Sequence, residues 1–93
     1  MKILELLDRP EKWTKEAFAR NSSGEGVDSD STAAVSWCLE GAMRRCGLWS
    51  SETSHKLMNA CQSLYGTTNY EEWQDRPETT FEQVWALVVL ADV

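Results

Sequence analysis

Three cysteines and one histidine are the side chains of this sequence that could bind a soft metal ion or act in thiol catalysis. Cys38, Cys46, His55 and Cys61 follow one another at separations of eight, nine and six residues. Neither Cys-x-x-Cys nor His-x-x-x-His spacing occurs, so the pattern predicts no metal site. A thiol–base pair between Cys46 and His55 would lack a third group to orient the histidine. We therefore expect no catalytic residue, no cofactor and no metal, and a protein that is not an enzyme.

The charged residues are distributed unevenly around a formal net charge of −6. Residues 47–93 contain only Lys56 and Arg76 as cations, against seven acidic residues. Such a surface repels the phosphates of nucleic acids and of anionic membranes, so neither is an expected partner. An acidic surface of this kind suits solubility, which is the simplest explanation, a basic protein partner, or an acidic phage inhibitor that mimics DNA. The candidate acidic patch consists of Glu71, Glu72, Asp75 and Glu78.

A nucleic-acid-binding helix-turn-helix is the alternative interpretation, carried by residues 40–60. In that interpretation the DNA contacts would come from Arg44, Arg45, His55 and Lys56. With Gly47 as the turn glycine, however, Met43 stands where a small residue is needed. Thr53 and Lys56 stand where aliphatic core residues are needed. The pattern therefore disagrees with this motif at three positions and with its usual charge.

Helical spacing of apolar residues predicts the elements that would position these side chains. A short first helix covers 2–7 and stops before Pro10. Another helix runs from about residue 51 to 65 and ends at Gly66. The last helix begins at a capping signal, in which Thr79 precedes Glu82 and Thr80 precedes Gln83 by three residues. Residues 67–78 are predicted to form a polar connection. We expect five tryptophans to fill a thin core: Trp13, Trp37, Trp49, Trp73 and Trp85.

The region between the first helix and residue 47 is predicted to contain a hairpin and a central helix. The turn signal Asn-Ser-Ser-Gly-Glu-Gly lies within residues 17–28, where we expect a short β-hairpin or an ordered loop. Asp30 or Ser31 would cap a helix that continues to Gly47. Inside it, Gly41 costs roughly 1 kcal/mol relative to alanine, so something bulky should approach its backbone. The ring of Trp85 or Trp73 is the expected neighbour.

These elements predict a single domain over residues 1–93, mainly α, with three to four helices and a short hairpin. The last helix is too apolar to be covered fully by so small a core, and exposed apolar area marks an interface. Its candidate interface residues are Trp85, Leu87, Val89 and Leu90. We therefore expect a protein–protein interaction module or a self-associating protein such as a homodimer. Free thiols, and the lack of a membrane-spanning segment or a signal peptide, predict a cytoplasmic location.

Three segments carry a resemblance to a known family. They are an Ala-x-Ala-Arg segment at 17–20 with a glycine turn and Val-Asp after it, Trp-Cys-x-x-Gly-Ala at 37–42, and Trp-x-Asp-x-Pro at 73–77 with Thr80–Val84. The chain resembles a family of small uncharacterised bacterial and phage proteins, classed as a domain of unknown function. Gln74 stands where that family usually has Asn. The resemblance implies no activity, but it implies a structural signature of Trp37, Cys38, Gly41, Trp73 and Pro77.

Overall fold

Five α-helices and three short strands form the fold in a computed structural model that describes residues 1–93. Helix α1 (Ile3–Leu6) and a 3-10 turn (Pro10–Lys12) precede strands β1 (Ala19–Arg20), β2 (Gly26–Val27) and β3 (Ser36–Trp37). The remaining helices are α2 (Leu39–Arg45), α3 (Ser51–Tyr65), α4 (Tyr70–Gln74) and α5 (Phe81–Ala91). None of these helices has the length and apolar content needed to span a bilayer.

The three strands form an antiparallel sheet with β1 in the centre. Ala19 pairs with Val27 on one side and with Trp37 on the other. The turn between β1 and β2 closes because the Asn21 side chain accepts hydrogen bonds from the amides of Ser23 and Glu25, both at 3.0 Å. The β1–β2 hairpin thus lies within the predicted range of 17–28. The third strand was not predicted.

The core lies between α1, α2 and the antiparallel pair α3 and α5. The hydroxyl of Tyr65, at the end of α3, donates to the carbonyl of Gln83 in the first turn of α5 at 2.7 Å, which fixes their opposite directions. Two of the caps predicted from the sequence are present. Thr80 and Gln83 form a capping box at the start of α5, and Gly66 adopts a left-handed conformation at the end of α3. The largest fully buried side chains are Ile3, Leu7, Leu39, Met43, Leu57, Val84, Leu87 and Val88.

The prediction of a mainly α domain with three to four helices is wrong, and the main error lies in residues 31–38. The central helix begins at Leu39 with Cys38 as its cap, and not after Asp30 or Ser31. Val35 donates its amide to the Arg20 carbonyl at 2.8 Å, and this pairing with β1 makes the segment extended. The polar connection after Gly66 also contains a further helix, α4. The domain is therefore mixed α and β.

Gly41 does accept a close neighbour, but it is a backbone group and not a tryptophan ring. A Cβ atom placed on Gly41 would lie 1.8 Å from the carbonyl oxygen of Phe18. The same oxygen accepts the Cys38 amide at 3.2 Å. Gly41 thus allows the first turn of α2 to rest directly on the chain that enters β1. The prediction that Trp73 or Trp85 fills this position is wrong.

The two ends of the chain and the loop before β1 are fixed by polar contacts. The Ile3 amide donates to the carbonyl of Val93, and Lys2 forms an ion pair with Asp92 at 2.5 Å. Gln74 is buried, and its side-chain oxygen accepts from the Trp13 indole at 2.7 Å and from the Leu39 amide at 3.2 Å. One amide side chain therefore joins the N-terminal segment, α2 and α4.

Candidate functional site

An acidic groove crosses the face where α2, α4 and the loop before β1 meet. A cavity of about 340 Å³ is lined by Glu40, Glu71, Glu72 and Asp75. A neighbouring cavity of about 300 Å³ shares Cys38, Glu40 and Asp75 with it and adds Glu16. We call the five carboxylate residues Glu16, Glu40, Glu71, Glu72 and Asp75 the acidic groove. Three of the four residues in the predicted acidic patch belong to it, whereas Glu78 does not line either cavity.

Local structure places each carboxylate at the groove. Glu71 and Glu72 occupy the first turn of α4, where Asn69 caps the helix by accepting from the Glu72 amide at 3.2 Å. Asp75 caps the other end of α4 and accepts the Glu16 amide at 3.0 Å. Glu16 adopts a positive φ of 62°, an uncommon conformation for a residue with a side chain. The contact with Asp75 thus holds the strained loop against α4.

The carboxylates of the groove do not all have the same electrostatic environment. Burial raises the pKa of Glu40, and repulsion by Glu71 raises it further, while Arg44 at 3.8 Å opposes both effects. By contrast, the hydrogen bonds from Arg76 to both carboxylate oxygens of Glu72 lower the pKa of that residue. Glu40 and Glu71 therefore form the part of the groove with an excess of negative charge over its local cations.

Two exposed aromatic rings lie beside Arg44, and one of them, Phe18, lines the smaller cavity of the groove. Phe18 is 46% exposed and Trp49 is 51% exposed. The guanidinium of Arg44 lies over both rings, at 5.0 Å from the Phe18 centroid and 4.4 Å from the Trp49 centroid. Such cation–π contacts favour an arginine that keeps its charge while covering apolar surface. The prediction of Trp49 as a core residue is wrong, whereas Trp37 and Trp73 are buried and Trp13 and Trp85 are partly buried.

A cleft of about 410 Å³ adjoins the groove at Glu71, which lines both. Trp49 and Met43 supply its apolar surface. Its polar surface comes from the hydroxyls of Ser50, Ser51, Ser54 and Tyr70 and from the Glu71 carboxylate. We call this the hydroxyl cleft. Its volume falls in the range of pockets that take small ligands or single side chains.

The residues considered for thiol and metal chemistry are not assembled into a site. Burial raises the pKa of the thiols of Cys38, Cys46 and Cys61, which disfavours the reactive thiolate. His55 is exposed on α3. The chain contains no group of three or more His, Cys, Asp or Glu residues placed to hold a metal ion.

Three of the four basic residues considered for DNA binding, Arg44, Arg45 and Lys56, contact other groups of the domain. Arg45 donates to the backbone carbonyls of Ser29 and Ser31 at 3.1 and 3.0 Å and lies over the ring of Trp37. Lys56 is 3.9 Å from Glu52, one helical turn away. Together with Arg44 over its two rings, these contacts leave no continuous basic surface along α2 and α3.

The apolar surface of α5 is smaller than the sequence predicts. Leu87 is fully buried, and Trp85 is half-buried and stacks against Phe81 with centroids 6.2 Å apart. Only Val89 and Leu90 of the candidate interface are exposed, at 50% and 53%. The candidate interface on α5 therefore consists of two neighbouring side chains.

Four of the five residues in the predicted structural signature make hydrogen-bond or stacking contacts within the fold. The indole of Trp37 donates to the Ser29 carbonyl at 2.9 Å, and the Cys38 sulfur accepts the Gly41 amide at 3.3 Å as the cap of α2. Trp73 stacks on Tyr65 with centroids 4.5 Å apart. Pro77 is exposed in the turn after α4.

Glu16 and Glu40, which complete the groove, were not predicted because they are distant in sequence from residues 71–75.

Comparison with known proteins identifies one family. A family model described as "Family of unknown function (DUF6197)" matches residues 2–91, nearly the whole chain. No curated protein and no solved structure matches the chain. The resemblance to an uncharacterised family is thereby confirmed at that level, and it supplies no activity.

Proposed function

Because the chain belongs to this family of unknown function, we propose a function from its own geometry: it is a non-enzymatic module that binds a basic segment of a protein partner along the acidic groove. The observation that carries the proposal is the continuity of the groove with the hydroxyl cleft through Glu71, beside the exposed rings of Phe18 and Trp49. Carboxylates attract and orient a basic partner, and aromatic rings supply apolar contact at the interface.

Charge complementarity supports a basic segment as the occupant. The groove has five carboxylates, and the guanidiniums beside it are those of Arg44 and Arg76. Glu40 and Glu71 repel each other, so a cation bound between them would relieve an unfavourable interaction that exists in the free domain. An acidic inhibitor is the special case in which the basic partner is itself a nucleic-acid-binding protein. The free thiols agree with a partner in the cytoplasm.

Self-association through α5 is less well supported. A stable interface buries about 800 Å² on each partner, far more than Val89 and Leu90 expose. For this reason we place the interaction surface at the acidic groove and not on the last helix.

Fluorescence anisotropy tests the proposal. The probe is a labelled peptide in which basic and neutral residues alternate. We expect the double variant Glu40→Gln/Glu71→Gln to bind the peptide about tenfold more weakly than the unmodified protein. Added salt should also weaken the binding of the peptide to the unmodified protein. The matched control is Glu11→Gln/Glu82→Gln, which makes the same change of net charge at exposed positions outside the groove. Equal loss in both double variants would show that net charge alone attracts the peptide. Lack of binding by the unmodified protein would overturn the proposal.

A further inference from the structure

We propose that the hydroxyl cleft is a binding site for an arginine side chain of the basic segment. This inference rests on the proposed function, and it adds that the partner is recognised through arginine and not through positive charge alone. It concerns one cleft, with Trp49 on one wall and the Glu71 carboxylate on the edge shared with the acidic groove.

The chemistry of the cleft matches a guanidinium group. A guanidinium is planar and weakly hydrated, so it stacks on an aromatic ring while its five N–H groups donate in the plane. Trp49 supplies the ring, and the Glu71 carboxylate accepts two parallel hydrogen bonds from such a fork. The hydroxyls of Ser54 and Tyr70, 3.1 Å apart, bond to each other and still have lone pairs to accept further donors. A lysine ammonium would use the carboxylate but would not stack as a plane.

The domain already contains an example of the same recognition. Arg44 lies 4.4 Å from the centroid of Trp49 and 3.8 Å from the Glu40 carboxylate, so its guanidinium combines an aromatic ring with a glutamate. Arg44 does not line the hydroxyl cleft, whereas Trp49 does. The incoming arginine would repeat this arrangement with Glu71 as its counter-ion.

Two features oppose a cation in the cleft. The guanidinium of Arg44 lies 4.4 Å from the Trp49 centroid and repels a second cation at that ring, although Glu40 at 3.8 Å from Arg44 offsets part of its charge. The second feature is the N-terminus of α3. Ser50 and Ser51 belong to the N-terminus of α3, where the helix dipole places partial positive charge. The Ser50 side chain caps the Thr53 amide, and Glu52 lies in the first turn of the helix. These two groups, with Glu71 across the cleft, offset the dipole at the site.

The test compares two peptides of identical length, charge and neutral residues, one with arginine and the other with lysine at every basic position. We expect the arginine peptide to bind the unmodified protein about tenfold more tightly in anisotropy at physiological salt. Trp49→Leu should reduce that preference to about twofold or less, because leucine preserves apolar surface and removes the ring. Because Trp49 is half-exposed, the denaturation midpoint of the Trp49→Leu variant should be nearly that of the unmodified protein.

Glu71→Gln and Glu72→Gln form a matched pair that separates the two proposals. Both residues line the acidic groove, but only Glu71 lines the hydroxyl cleft. Glu71→Gln should weaken the arginine peptide more than the lysine peptide, whereas Glu72→Gln should weaken both peptides equally. Equal binding of the two peptides by the unmodified protein would overturn the arginine site and leave the acidic groove in place. Failure of both peptides to bind the unmodified protein would overturn both proposals.

Discussion

The carbonyl oxygen of Phe18 occupies the space in which a side chain on Gly41 would begin, since a Cβ there would lie 1.8 Å from it. Gly41→Ala should therefore destabilise the domain by about 2–4 kcal/mol, although alanine favours an isolated helix by roughly 1 kcal/mol. Urea denaturation measures the change. Gly66→Ala is the control, because Gly66 has a left-handed conformation but open space around it, and its cost should stay near 1–2 kcal/mol. A stabilised Gly41→Ala variant would contradict the close approach.

Gln74 makes a second testable prediction because it accepts from Trp13 and from the Leu39 amide. Gln74→Met has a similar shape but leaves both donors without an acceptor, which should cost about 2–4 kcal/mol in unfolding free energy. Gln62→Met makes the same replacement on the exposed surface of α3 and should change the stability by less than about 0.5 kcal/mol. Similar midpoints for the two variants in urea would show that Gln74 does not join the three segments.

Cys38 should act as a helix cap and not as a reactive thiol. Its sulfur accepts the Gly41 amide at 3.3 Å, and its burial raises the thiol pKa. Cys38→Ser retains an acceptor for the Gly41 amide and Cys38→Ala does not, so the serine variant should be the more stable of the two by about 1 kcal/mol. Denaturation of both variants measures the difference. Equal stability of the two would remove the capping role.

The raised pKa of Glu40 predicts a pH-dependent stability. The folded domain binds this proton more tightly than the unfolded chain, so the stabilisation is fully present below the ordinary glutamate pKa and is lost as pH rises through the folded value. Glu40→Gln mimics the protonated form, and it should stabilise the domain by about 0.5 kcal/mol at neutral pH and by nothing at acidic pH. Thermal unfolding across pH values tests this. Glu82→Gln makes the same replacement at an exposed position and is the control.

Features that depend on neighbouring residues could be predicted from the sequence, and those that depend on distant partners could not. The capping box of Thr80 and Gln83 and the glycine turn at Gly66 are local, so the start of α5 and the end of α3 were predicted correctly. The helical spacing around Ala34 and Trp37 was misleading, because pairing with Arg20 makes that segment a strand. Hydrogen bonding across the sheet thus outweighed the local pattern.

The residues of the candidate site also divide into those that are close in sequence and those that only packing brings together. Glu71, Glu72 and Asp75 are close in sequence and could be identified as one acidic patch. Glu40 joins them through the packing of α2 against α4, and Glu16 joins them through its bond to Asp75. Trp49 was predicted to be buried because tryptophan usually is, whereas its place at the start of α3 leaves it half-exposed.

The hydrogen bond between the Ile3 amide and the Val93 carbonyl brings the two ends of the chain together. The helices and strands could therefore follow one another in a different order along the chain and keep the same arrangement in space. A short glycine–serine linker could join residues 1 and 93, and new ends could be opened in the exposed turn between Asn21 and Gly24. In such a circular permutant β1 and β2 would be the terminal strands, while the helices on either side of the linker would become neighbours in sequence. The acidic groove would keep every one of its residues.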